Sequence, residues 1–300
     1  MRDIKELIII ILNYNSSKEI IRQLSTLTDN GGINKDSFII LDNNSNDGKA
    51  LENFCQAHHF FFHQMGNNLG YAYANNWAIR QAIEWGKKYF FILNPDIHID
   101  ADTIEQLYLK LKSDSSLGVI GPRLLYHTNP QQIFSDGGLL FPEKGFEGNH
   151  INFLKNTEEA GSVGMTYDMA YINGSTMMFK KEVLDDMGYM KEDLFMYYEE
   201  SEWCYRIKKS GRWKIAVDTD LAAYQSESSR GKVYEYYMTR NRIWLTKKYS
   251  GNLFFVIRER LIVARKKLFS SKGSFKENLS FSRNILKGIV HGLIGKTGKL

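Results

Sequence analysis

Only two cysteines and four prolines occur among 300 residues. Cys55 and Cys204 are far apart and fit no C-x-x-C or Cys/His spacing. That excludes a disulfide framework and a structural zinc, and it points to a reducing compartment. Long hydrophobic runs are also missing. The apolar stretch that opens the chain, Leu7 to Leu12, has six residues, too few for a signal-peptide core or a membrane span. No internal repeat or low-complexity segment is visible. Neither G-x-G-x-x-G nor a Walker A loop follows the first apolar run, which reads "LNYNSS"; a dinucleotide-binding dehydrogenase is thereby disfavoured. A sugar nucleotidyltransferase is disfavoured on the same ground. Zinc-finger spacing and an RNP-like aromatic motif are absent too, so no nucleic-acid partner is expected.

The composition is that of an ordinary globular chain, 43% hydrophobic and 24% charged, with ample length for a core. The charge is unevenly spread. From Arg230 onward, 17 Lys and Arg face three Glu, while the preceding part carries 22 basic and 31 acidic residues. An acidic body with a strongly basic tail suits an anionic partner for the tail.

Along the chain, "LIIIILNY" reads as a strand buried on both faces. "SSKEIIRQLSTL" follows as a helix with Ser16 or Ser17 as its N-cap. "SFIILDNNSNDG" and "HHFFFHQM" are further strands, the first ending in Asp42 and a turn-rich stretch. "NNLGYAYANNWAIRQAIEWG" becomes a helix, and "KYFFILNPD" is the fourth strand. The order strand, helix, strand, strand, helix, strand implies a parallel α/β sheet. Ligands of such sheets bind beyond the strands' carboxyl ends. Asn13-Tyr14-Asn15, Asp42 and Asp96 all fall at such ends. Further on come a helix at "ADTIEQLYLKLKSD", a short strand at "LGVIGPRLLY", and a loop-like stretch from Phe134 to Gly164. "YDMAYINGSTMMFKKEVLDDMGYM" reads as a strand backed by a helix, "YYEESEWCYRIKKSG" as a helix, and "WKIAVDTDLAAYQ" as a strand.

With no Gly-rich phosphate loop, a divalent cation is the natural means of neutralising a bound diphosphate, and hard cations want carboxylate oxygens. Asn94-Pro95-Asp96 suits that need, and it equally suits a turn. A second carboxylate group, Glu199, Glu200 and Glu202, opens a helix, where the macrodipole favours it. Its flank of Phe195, Met196, Tyr197 and Tyr198 would desolvate a carboxylate and raise its proton affinity, as a general base requires. His58, His59 and His63 read as strand-edge residues rather than metal ligands.

Taken in order, "IIIILNYNSS", "IILDNNSNDG", "GNNLGYAYANNWAI", "FFILNPDIHI", "GVIGPRLL", "YINGSTMMFKKEVLDDMG" and "DLFMYYEESEWCYRIKKSG" resemble the family 2 glycosyltransferases, most of all the bacterial rhamnosyltransferase-like branch. The resemblance covers roughly residues 5 to 245. It implies an α/β GT-A fold: a Rossmann-like nucleotide-binding half with a mostly parallel sheet (residues 1–100), fused to an acceptor-binding half (101–228). A basic, helical C-terminal region (229–300) follows. It also implies inversion at the anomeric carbon. Asp42 would contact the base, with Asn13, Tyr14 and Asn15 lining the same pocket. Asn68, Gly70 and Asn75 would sit beside the nucleotide and phosphates. Asn94 and Asp96 would form the DxD-type motif, with Asp96 binding Mg2+ or Mn2+, and Gly174 in "INGS" would lie beside the sugar or acceptor. Glu200 would be the catalytic base, Glu199 its acidic neighbour and Glu202 a weaker candidate. One departure stands out: where many relatives carry a His pair, this chain reads "LAAYQSESS", with Tyr224-Gln225 at that place.

The expected function is sugar transfer from a nucleotide donor to a glycan or lipid-linked oligosaccharide in bacterial surface polysaccharide synthesis. The donor expected first is dTDP-L-rhamnose. Alternatives are a UDP-hexose or UDP-N-acetylhexosamine, or a non-catalytic nucleotide-sugar-binding scaffold. In the tail, Phe254, Ile257, Leu261, Ala264 and Leu268 share one helical face, and Phe281, Ile285, Ile289 and Leu293 another. Basic amphipathic helices of this kind suit an anionic membrane surface, which places the protein on the cytoplasmic face of the cell membrane.

Overall fold

The computed structural model describes residues 4–226 and 233–300; the expected boundary between residues 228 and 229 lies outside them. The chain runs through β1 (Leu7–Asn13), α1 (Ser17–Ser25), β2 (Phe38–Asp42), α2 (Gly48–His58), β3 (Phe61–Gln64), α3 (Tyr71–Glu84) and β4 (Tyr89–Leu93). It continues through β5 (Ile97–His98), α4 (Ala101–Ser113), β6 (Leu117–Tyr126), β7 (Ile133–Ser135), β8 (Gly138–Phe141), β9 (Glu147–His150), α5 (Thr157–Ala160) and β10 (Met165–Thr166). The remaining elements are β11 (Thr176–Lys180), α6 (Lys181–Met187), α7 (Glu199–Ser210), β12 (Lys214–Gln225), α8 (Tyr234–Lys248), α9 (Leu253–Leu268) and α10 (Phe275–Leu293).

The main sheet has the order β10-β12-β6-β11-β4-β1-β2-β3. β1 pairs in parallel with both β2 and β4, so the strand order reverses at β1. β11 enters antiparallel between β4 and β6, which makes the sheet mixed. Alternate residues of β1 feed two cores, as the two-residue period of a strand dictates. Ile9 and Ile11 face α1, α2 and α4, while Ile8 and Ile10 face α3, α6 and α7.

Three expectations are corrected. A helix, α2, lies between β2 and β3, so the first half alternates strand and helix without a break; its apolar face is carried largely by Leu51 and Cys55, too few to register as helical periodicity. The stretch from Phe134 to Gly164 is not simply a loop, because β8 and β9 form a hairpin there. Neither Ser16 nor Ser17 caps α1 with its side chain. Instead Asn13 Oδ1 accepts from Ser16 N and Asp47 Oδ2 from Ser17 N, at 2.9 and 2.8 Å.

The C-terminal helices pack together around Ile243, Val256, Ala264, Ile285 and Ile289. α10 approaches α8 closely through two glycines: a Cβ on Gly288 would lie 2.8 Å from Tyr236 O, and one on Gly292 2.8 Å from Ile243 Cβ. The expected α10 face holds for Ile285 and Ile289, with Leu293 partly exposed. On α9 the buried face is rotated toward Val256, which leaves Phe254 and Leu261 76% and 44% exposed. α9 is apolar on more than one side, and α10 covers only one of them.

Candidate active site

A cleft of about 900 Å³ opens where the strand order reverses. Its first wall comes from the carboxyl ends of β1, β2 and β4 and the start of α3: Leu12, Tyr14, Asn43, Asn68, Gly70 and Asn94. The opposite wall is aromatic, with Tyr126, Phe134, His150, Phe153 and Tyr171 among its residues. Glu199 and Glu200 lie on the lining between them.

The strand ends are fastened by side chains that themselves stay out of the cleft. Asn13 Nδ2 donates to Asp42 Oδ1 at 2.8 Å and to Ser17 Oγ at 3.0 Å. Asp42 Oδ2 accepts from Ser45 N, and Gly48 leaves room for that carboxylate, since a Cβ there would come within 2.7 Å. Asn15 ties the same two turns together, donating from N to Ser45 Oγ and accepting at Oδ1 from Asn46 N. Asn13, Asn15 and Asp42 therefore do not line the cleft. Asn75 does not either; it is fully buried in α3, with Nδ2 donating to Tyr71 O at 2.9 Å. Tyr14, Asn68, Gly70, Asn94, Gly174, Glu199 and Glu200 do line it.

Several lining residues were missed from sequence. Asn43 is the residue after Asp42 and so points to the other side of the strand end. Its Nδ2 donates to Asn68 Oδ1 at 3.1 Å, and its Oδ1 accepts from Leu69 N at 3.0 Å, holding the turn before α3. Tyr71 is the hub of the site. Its hydroxyl donates to Gly174 O at 2.8 Å and lies within reach of Asn94 Oδ1 at 3.3 Å. Burial, and then the charges of Glu199, Glu200 and Asp96, push its pKa well up, so it stays a donor.

The carboxylates differ in their surroundings. Burial raises both Glu199 and Glu200, and repulsion from Glu200 helps push Glu199 up to about 8. Glu199 Oε2 is buried with no partner among the described residues, while Glu200 Oε1 accepts from Ser201 Oγ at 2.9 Å. Glu202 is the opposite case. Burial alone would raise it, but Arg206, Lys248 and Tyr249 outweigh that and hold it below the ordinary range. Its Oε1 accepts from Lys248 Nζ at 2.7 Å and Tyr249 OH at 2.5 Å. A carboxylate so occupied cannot serve as a base, and Glu202 drops out as a candidate.

Asp96 lies just behind the lining formed by Asn94, Pro95 and Ser226, with its backbone O accepting from Ser226 N at 2.9 Å. Burial raises its pKa, and it has no salt bridge among the described residues. A desolvated carboxylate with no cation paired to it among the described residues fits a ligand to Mg2+ or Mn2+. Nearby Gln225 lines the cleft, and its buried Oε1 has no partner among the described residues. Among the described residues no three His, Cys, Asp or Glu side chains gather into an all-protein metal site. The residues present fit a cation that draws most of its ligands from a diphosphate.

The model of glycosyl transferase family 2 matches residues 8–188. The chain belongs to that family. It is a nucleotide-sugar-dependent glycosyltransferase of GT-A fold, and family 2 enzymes of this kind act in glycan biosynthesis. Over 98% of its length it is 27% identical to the low-salt glycan biosynthesis hexosyltransferase Agl10 of Haloferax volcanii, covering 93% of that protein. Over 65% of its length it is 25% identical to the dTDP-rhamnosyl transferase RfbF of Shigella flexneri, covering 66% of that protein. Among solved structures, the mannosyltransferase PcManGT from Pyrobaculum calidifontis, in complex with GDP-Man and Mn2+, superposes with a TM-score of 0.58. It shares 14% identity, over 97% of this chain and 88% of that one.

Proposed function

We propose that this glycosyltransferase inverts the donor's anomeric carbon, with Glu200 as general base. The observation that carries the reading is a carboxylate pair, Glu199 buried and Glu200 half-buried, on the lining of a cleft that Asn94, Pro95 and Gly174 also border. Glu200 takes the proton from an acceptor hydroxyl as that oxygen bonds to the anomeric carbon. The bond to the nucleoside diphosphate breaks on the opposite face, and the pair of electrons leaves with the diphosphate. A divalent cation, when bound by Asp96 with Gln225 adjacent, supplies charge stabilisation to that leaving group. Glu199, protonated near neutral pH, keeps a second negative charge away from Glu200.

The nucleotide is assigned to residues 1–100, against Tyr14, Asn43, Asn68 and Gly70. The acceptor is assigned to the aromatic wall of residues 101–228. Asn13, Asn15, Asp42 and Asn75 act here by holding those walls. The donor assigned first is dTDP-L-rhamnose, in line with the RfbF similarity, and the acceptor is a growing surface glycan, free or lipid-linked.

We assign the C-terminal region to the cytoplasmic face of a membrane. No described helix is long and apolar enough to cross one. α9 exposes Phe254, Leu261 and Ile262 beside Arg258 and Arg265, and α10 exposes Leu286 and Val290 beside Arg283 and Lys287. Apolar side chains set among cations suit an anionic interface.

The test is a thermal-shift screen of nucleoside diphosphates and their sugars, with and without Mn2+. A ligand that binds only the folded state raises its melting temperature. Stabilisation by one nucleotide, greater with Mn2+, supports the reading. No response to any nucleotide overturns it.

A further inference from the structure

The segment just before the proposed base is held in a conformation that its residues disfavour. Phe195, Tyr197 and Tyr198 all have positive φ, at 64°, 69° and 73°, and none is glycine. Backbone of this kind persists only where its surroundings impose it. On one side, Phe195 O accepts from Tyr71 N at 2.7 Å, and Gly70 is the only type of residue that fits there, since a Cβ would come within 2.5 Å of that oxygen. On the other side stands α8. Asn241 Nδ2 lies 3.0, 2.8 and 2.8 Å from the carbonyl oxygens of Leu194, Met196 and Tyr197. Three backbone carbonyls of the loop thus converge on one amide.

Arg240 completes the arrangement. Its Nε donates to Asn241 Oδ1 at 2.8 Å, which fixes which way the amide faces, and its Nη2 donates to Leu194 O at 2.6 Å. Nη1 donates to Gly298 O at 2.5 Å, and Gly298 N donates back to Asp193 O at 2.7 Å. The guanidinium lies against the rings of Tyr236 and Tyr237, and Phe195 stacks on Tyr237 with centroids 5.2 Å apart. Arg240 and Asn241 are 1% and 0% exposed, and neither lines the cleft.

We infer that Asn241 and Arg240 are positioning residues for catalysis: from α8 they hold the loop that aims Glu199 and Glu200 into the cleft. α8 is in turn pinned by Gly288 and Gly292 of α10. The basic C-terminal helices are on this account part of the catalytic apparatus. The inference rests on the assignment of Glu200 as the base.

The test uses Asn241→Asp in the full chain. The change keeps the shape of the side chain and its contact with Arg240 but replaces the amide donors. Arg240→Gln is the second variant. Expected for each, in protein whose melting curve shows it folded at the assay temperature, is a fall in kcat of about 30-fold or more, as displacement of a reacting group by less than 1 Å produces. KM for the donor and Kd for the nucleoside diphosphate should shift by less than about 3-fold, because neither Asn241 nor Arg240 lines the cleft. A merely structural role would not split kcat from Kd. The inference is overturned if kcat stays within about 2-fold, if Kd changes as much as kcat, or if neither variant can be obtained folded. Glu200→Gln, run in parallel, separates the two readings. If it keeps its turnover the base assignment fails, whatever the Asn241 variants do.

Discussion

Gly174 stands directly against Glu200: a Cβ at position 174 would lie 3.2 Å from Glu200 Cγ and 3.3 Å from its Cβ. The same glycine's carbonyl takes the hydroxyl proton of Tyr71 in a hydrogen bond. Glu200 is therefore located by the absence of a side chain opposite it. Gly174→Ala should move the carboxylate by a few tenths of an ångström. Its expected effect is a loss of about 10-fold in kcat, with stability unchanged or raised by up to about 1 kcal/mol because the unfolded chain loses freedom. Steady-state kinetics beside urea titration checks both.

Buried Glu199 makes stability depend on pH. Glu199 is lifted from its ordinary 4.5 to about 8. A carboxylate raised on folding contributes stability that is full below the unfolded value and is lost as pH rises through the folded one. Between pH 4.5 and 8 the unfolded state has released a proton that the native state still holds, so the melting temperature should fall across that window. Glu199→Gln should flatten this slope. The acid limb of the kcat/KM profile should stay in place, because Glu199 is already neutral where Glu200 ionises. A limb that moves to lower pH would show that Glu199 carries its charge beside Glu200.

Glu202 should behave differently. Its carboxylate is fully buried and pairs with Arg206 and Lys248, which are 22% and 32% exposed. Glu202→Gln strands these partners and should cost about 1–3 kcal/mol of stability in chemical denaturation. Turnover by the folded fraction should stay within about 3-fold of wild type. A large loss of kcat in stably folded protein would return Glu202 to the catalytic group.

Membrane attachment is tested on the exposed faces of α9 and α10. Replacing Phe254, Leu261 and Val290 together with serine removes apolar area without touching the buried Val256, Ala264, Ile285 and Ile289. Co-sedimentation with vesicles containing anionic lipid should fall by about 10-fold or more, since each apolar side chain withdrawn from water contributes about 1.5–3 kcal/mol. Unchanged co-sedimentation would dissociate the tail from lipid.

Much of this was legible in the chain. Uninterrupted apolar runs such as Leu7 to Leu12 mark strands covered on both faces, and β1, β2 and β4 are where such runs stand. Glu199 and Glu200 were legible because their aromatic flank announces burial. The difference between Asp42 and Asn43 was not. Both are polar and adjacent at a strand end, and only the pairing of Asp42 with Asn13 shows which one is turned away from the cleft. The role of α8 was hidden for another reason. Asn241 and Arg240 act on carbonyls more than 40 residues away in sequence, and nothing local in "MTRNRIW" reveals a backbone partner. The rotated face of α9 likewise depends on where α10 lies.

The central claim is that Glu200 removes the acceptor's proton, and the most direct measurement compares kcat with donor affinity in Glu200→Gln. The account expects kcat to fall by about 1,000-fold or more, with the Kd for the nucleoside diphosphate, measured by calorimetry in the presence of Mn2+, within about 3-fold of wild type. Turnover within about 10-fold of wild type by this variant would contradict it.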